Sequence, residues 1–172
     1  MKKLLFASAL LALFILPFSR LNAQEDKTKR PSPPAEAHAT LGDTHVSINY
    51  SSPAVKGRTI WGELVPYGKI WRTGANGATV FETSPDLLVN GQKLPAGKYG
   101  LFMIPGKEEW VVVFNSVWDQ WGAFRYDTAF DVLRINVKPE QSPAFNERMK
   151  FEINDHVISL LWENMKVSFV AK

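Results

Sequence analysis

The sequence predicts an all-β fold, an antiparallel β-sandwich or jelly roll with a long packed loop and little helix. Three observations carry that expectation. Apolar and polar residues alternate at period two through much of the chain after residue 39, and successive strand side chains point to opposite faces. Turn signals rich in Gly, Pro and Asn separate the alternating runs. No helical periodicity extends beyond two turns, and only Pro143 to Glu147 offers a short helical turn.

Taken in order, Val46, Ile48 and Tyr50 alternate with His45, Ser47 and Asn49, giving a buried and a wetter face. Leu87-Leu88-Val89 and Gln92-Lys93-Leu94 flank Asn90-Gly91, a pair suited to the positive φ angles of a type I′ hairpin. Pro95-Ala96-Gly97 and Pro105-Gly106-Lys107 bracket the run from Lys98 to Ile104. Trp110 to Phe114 is continuously apolar, as a central strand covered on both faces should be. Leu133, Ile135 and Val137 form the next alternating set. Met149, Phe151 and Ile153 lead through Asn154-Asp155 to Ile158, Leu160 and Trp162, and Val167, Phe169 and Ala171 close the chain. These runs make one domain, with no internal repeat.

The 172 residues carry a formal net charge of +3. Lys2, Lys3 and Arg20 fall in the first 23 positions, which hold no acid, so the remainder is neutral. Two lysines, an apolar run from Leu4 to Phe18 and the small Ala23 read as a signal peptide over residues 1–23. Residues 24–38 lack large apolar side chains and carry three prolines, which reads as a flexible tether before a domain at 39–172. The expected location is periplasmic or secreted, with no membrane span after cleavage of the leader. The chain has no cysteine, which excludes thiol nucleophiles, thiolate metal sites and a lipidated N-terminal cysteine. The neutral remainder gives no reason to expect nucleic acid.

Residues 52–78 break the strand pattern. Glycines and prolines exclude a long helix, yet Ile60, Trp61, Leu64, Val65, Tyr67, Ile70 and Trp71 are too apolar for a free linker. Such a segment reads as a packed functional loop. Lys56, Arg58, Lys69 and Arg72 against Glu63 make it locally cationic. Arg72 stands between Trp71 and the glycine-bearing Thr73-Gly74-Ala75-Asn76-Gly77. Two roles are open to it: its fork of donors holds a carboxylate, phosphate or sugar hydroxyl, or it pairs with a neighbouring acid and locks the loop.

A second cluster runs from Val117 to Asp127. Trp118, Gln120 and Trp121 resemble a sugar-stacking platform, because aromatic faces suit pyranose rings and amides take hydroxyls. The alternative is that these tryptophans plug the fold; of six tryptophans, at least half belong in the core.

No nucleophile elbow, phosphate-binding loop, zinc-protease helix or calcium loop is present. His38, His45 and His156 stand apart in sequence, so no metal site and no cofactor are expected. Asp119 and Asp127 leave open a two-carboxylate glycosidase. Asn49-Tyr50-Ser51 matches a glycosylation sequon but lies in an expected strand.

Four segments together resemble the family called domain of unknown function 2911, found in exported proteins of Bacteroidetes-type bacteria. They are Tyr50 to Arg58, Leu64 to Asn76, Leu94 to Phe102 and Asn115 to Ala123. One departure is Gly77, where the resemblance leads to an acidic residue. The resemblance implies an exported fold and supplies no reaction. The expected function is therefore a binding module for a glycan or small anionic ligand, held by Arg58, Trp71, Arg72, Asn76, Trp118, Gln120 and Trp121. The alternatives are a polysaccharide hydrolase and a cell-envelope interaction protein. Oligomeric state has no signal in the sequence.

Overall fold

The computed structural model describes residues 26–172; the leader expected at 1–23 lies outside them. The strands are β1 Pro34–Leu41, β2 Thr44–Ser51, β3 Thr79–Ser84, β4 Leu87–Val89, β5 Gln92–Leu94, β6 Gly97–Ile104, β7 Trp110–Asn115, β8 Asp131–Val137, β9 Pro139–Asn154 and β10 Val157–Val170. Among the described residues, helix is confined to two three-residue 3-10 turns, Lys27–Lys29 and Thr128–Phe130. Among the described residues no helix is long and apolar enough to cross a membrane.

A six-stranded antiparallel sheet runs in the order β1-β2-β3-β6-β7-β8, and β9 pairs with β10 in a separate long hairpin. The core fills the space between them. Ile48, Phe81, Leu101, Met103, Val112, Phe114 and Ile135 of the sheet pack with Met149, Ile158, Leu160, Trp162, Val167 and Phe169 of the hairpin. The alternation read from the sequence maps onto this face throughout β2, β8 and the end of β10. Burying each such side chain contributes about 1.5–3 kcal/mol before chain entropy is counted.

Strand β7 is covered on both sides. Val112 and Phe114 face the core, and Val113 is also fully buried beside its cross-strand partner Phe102. Tyr126 covers that second face, its ring 5.1 Å from Phe102. The loop carrying Tyr126 is rooted by the buried Asn115, whose amide donates to the Asp127 carbonyl and the Asp131 carboxylate, while its carbonyl accepts from Val117 N. Asn90 and Gly91 have φ of 46° and 80°, the type I′ geometry, and the β4–β5 hairpin buries Leu87, Val89 and Leu94.

Two expectations are corrected. The domain begins before residue 39, because β1 starts at Pro34 and pairs with β2 in unbroken register from Pro34↔Ser51 to Leu41↔Thr44. Its inward residues are Ala35, Ala37 and Ala39, half-buried on the core and too small to announce a strand. Proline is tolerated at Pro34 because β1 is an edge strand and this is its first residue. Pro143 to Glu147 is not a helical turn but part of β9, where its pairing with β10 shifts register twice. Asn146 fills that irregularity: its amide donates to Ser142 Oγ, to the Ala144 carbonyl and across to the Glu163 carbonyl.

Candidate functional site

Between β2 and β3, residues 52–78 are pinned along their whole length. Ser52 Oγ donates to the Met149 carbonyl at 2.7 Å, and Val55 N to the Glu147 carbonyl at 2.8 Å, fixing the start to β9. Trp71 and Met103 exchange two backbone hydrogen bonds of 2.8 and 2.9 Å, fixing the second half to β6. Ala78 N donates to the Gln120 carbonyl, tying the end to the aromatic loop. Ile60, Val65 and Trp71 are buried, so the segment is the packed loop its composition predicts.

Four of the six tryptophans meet here. Trp61 lies edge-on to Trp71, Trp110 and Trp162, with ring centroids 5.9, 4.9 and 5.7 Å away. Trp71 stacks on Trp162 at 6.0 Å and 17°. Trp71 Nε1 donates to the Gly74 carbonyl at 3.2 Å, whereas the buried indole nitrogens of Trp61, Trp110 and Trp162 have no partner among the described residues.

Trp71 and Trp162 also line a concavity of about 150 Å³ together with Ser32, Pro53, Arg58, Leu64, Val65, Arg72, Gly74 and Ala75. Among the described residues no Asp or Glu lines it. Arg72 is half-buried, its Nε is buried, and its side chain makes no hydrogen bond or ion pair with any described residue. Burial alone pulls its guanidinium below the ordinary arginine range. The acid partner that would lock the loop is therefore lacking among the described residues. Arg58 is differently placed: its Nε donates to the Val55 carbonyl at 3.0 Å and its Nη2 to the Ala54 carbonyl. Those bonds orient it and leave Nη1 uncommitted.

The backbone beside Arg72 is constrained. Thr73, fully buried, has φ of 55°, an uncommon conformation for a β-branched residue, costing about 1–3 kcal/mol. It is held because Thr79 Oγ1 donates to the Thr73 carbonyl at 2.6 Å and Thr79 N to the Arg72 carbonyl at 3.1 Å.

The remaining candidates sit elsewhere. Asn76 donates from its amide to the Ser32 carbonyl and to Ser51 Oγ, each at 3.1 Å. It lines a different groove of about 310 Å³, with Trp121, Asn49, Ser51, Gly77 and the basic Lys27 and Arg30. Trp121 is 61% exposed, Trp118 39% and Gln120 only 5%. Lys98 Nζ lies 5.5 Å from the Trp118 ring centroid and also pairs with Glu82. Gln120 donates to the Val117 carbonyl, and its own carbonyl oxygen is buried without a partner. The loop 52–78 and the aromatic loop thus touch, through Gly77↔Trp121 and through Gly122 N donating to the Asn76 carbonyl. They do not share one concavity: Arg58, Trp71 and Arg72 line the first, Asn76 and Trp121 the second, and Trp118 and Gln120 neither.

Sequence reasoning missed Ser32, Trp162 and Asn49. Ser32 fell in the supposed tether, and Trp162 read only as an inward strand residue. Asn49 was noticed as a sequon, not as a groove wall. Asp119 and Asp127 line neither concavity; Asp127 caps the 3-10 turn by accepting from Ala129 N. Among the described residues no group of three His, Asp or Glu side chains is placed to hold a metal ion.

The chain belongs to the family described as protein of unknown function, DUF2911, whose model matches residues 32–170. The match begins at Ser32, two residues before β1. No curated protein matches the chain, and no solved structure does. Gly77, the departure noted above, lies on the Trp121 groove and not on the Arg72 concavity.

Proposed function

We propose that this DUF2911 member is a binding module for a small ligand with an anionic group, taken up in the concavity between Arg72, Arg58 and the Trp71–Trp162 stack. The observation that carries the reading is the donor excess there. The Arg72 guanidinium has no acceptor among the described residues, Arg58 stands beside it on the same wall, and no described carboxylate lines that wall. A half-buried cation without a counter-charge is partly desolvated, and an oxyanion that accepts from a guanidinium fork offsets that cost. The same feature disfavours the hydrolase reading, which needs two carboxylates facing one substrate bond.

Export is part of the proposal. The leader at residues 1–23 supports a periplasmic or secreted protein, and mass spectrometry of the purified protein should find Gln24 at the N-terminus. The binding test is calorimetric titration with inorganic phosphate and with citrate at constant ionic strength. Binding of either that disappears in Arg72→Ala, with folding unchanged, supports the proposal. Titrations that are flat for wild type remove its basis.

A further inference from the structure

We infer that the groove beside Trp121 is a second binding site, built to stack a pyranose ring, and independent of the arginine-lined concavity. The inference rests on three features of that groove. Its aromatic wall is exposed but not loose. Trp121 shows 61% of its surface, yet its backbone is fixed on both sides, since Gln120 accepts from Ala78 N and Gly122 donates to the Asn76 carbonyl at 3.0 Å. A rigid exposed indole offers a flat apolar face without the entropy cost of ordering a loop.

The rest of the lining is polar, with the asparagines Asn49 and Asn76 and the basic Lys27 and Arg30, a set that suits a pyranose carrying a carboxylate. Asn49 is exposed on β2 and its side chain makes no hydrogen bond with any described residue, so its amide can both donate and accept. Asn76 spends its amide hydrogens on the Ser32 carbonyl and Ser51 Oγ, which fixes the side chain and leaves its carbonyl oxygen to accept. Donors and acceptors at the edge of an aromatic plate match the ring of hydroxyls around an apolar pyranose face.

The groove is also left open. A Cβ added at Gly77 would meet only the Gln120 carbonyl, at 3.7 Å, so a side chain there would fit and would stand on the groove wall. Glycine keeps that space free. The other two aromatic-loop candidates are not available for this role: Trp118 lies beside the Lys98 ammonium and Gln120 is buried. No described residue lines both concavities, so each can be filled without the other.

The test is calorimetric titration of the purified protein with three hexasaccharides: cellohexaose, chitohexaose and hexagalacturonate. At least one should bind. Trp121→Ala should weaken that binding about tenfold or more, as loss of an aromatic stacking partner does, with an unchanged melting temperature. Trp121→Phe should restore much of it, and Arg72→Ala should leave it unaltered. If Trp121→Ala does not fold, Asn49→Ala, at an exposed strand position, takes its place and should also weaken binding. Absence of binding by all three sugars, or equal binding by Trp121→Ala or its Asn49→Ala substitute, overturns the inference. Loss of sugar binding in Arg72→Ala would overturn the separation of the two sites. Phosphate or citrate binding without sugar binding would contradict this inference alone and leave the anion proposal standing.

Discussion

Trp71 and Trp162 stack with ring centroids 6.0 Å apart and planes 17° from parallel, and both rings reach from the core to the concavity that holds Arg72. One pair of side chains therefore serves stability and shapes the candidate site. This separates what each substitution there should do.

Trp71→Ala should destabilise the protein by about 3–5 kcal/mol, the usual cost of emptying a large buried aromatic site. Trp71 is 8% exposed, contacts three other tryptophans and donates to the Gly74 carbonyl. Trp71→Phe should retain most of the stacking and lose only the hydrogen bond and part of the volume. Chemical denaturation of both variants checks the order; equal stability of Trp71→Ala and wild type would show that the ring is dispensable.

Gly74→Ala should cost about 1–3 kcal/mol, because the added methyl is forced into a packed surface. Its Cβ would stand 3.0 Å from the Ser51 carbonyl oxygen and 3.1 Å from Thr79 Oγ1. Since Thr79 also holds the Thr73 carbonyl, the strain passes to the backbone beside Arg72. A thermal melt should show the loss, and ligand titration should weaken with it.

The phenols of Tyr50, Tyr99 and Tyr126 are all raised above the ordinary tyrosine range, in each case chiefly by burial. For Tyr126 the Arg134 hydrogen bond opposes the shift and Asp131 adds to it. A raised folded value favours the neutral phenol. The stability this contributes is whole below the unfolded value, near 10, and is lost as pH climbs through the higher folded values. Melting temperature should therefore fall above about pH 10, and Tyr50→Phe should flatten that fall. A melting temperature that ignores pH in that range, or an unchanged slope in Tyr50→Phe, would contradict the assignment.

The regular strands were legible because each carries large apolar residues at period two, as Val46, Ile48 and Tyr50 do on β2. Strand β1 was not, because Ala35, Ala37 and Ala39 give the same alternation with little hydrophobic contrast, behind prolines that composition assigns to a tether. The loop 52–78 was recognisable as packed from Ile60, Val65 and Trp71. Its partition was not: whether Arg72 meets an acid, or shares a cavity with Trp121, depends on contacts between segments far apart in the chain. Trp162 reaches the concavity from β10, and Asn49 reaches the groove from β2. Local pattern fixes which face a residue takes, and tertiary packing decides what it meets there.

The central claim is that Arg72 is an unpaired cation awaiting an anion, not a strut of the loop. Calorimetric titration with phosphate and citrate, run beside denaturation curves of wild type and Arg72→Ala, tests it most directly. The account predicts that Arg72→Ala is at least as stable as wild type, because a half-buried, unpartnered charge is removed, and that its anion binding is gone. Arg72→Lys should recover little of the binding, since a point ammonium lacks the planar fork. An Arg72→Ala protein that unfolds, or that binds phosphate and citrate as wild type does, would contradict the claim.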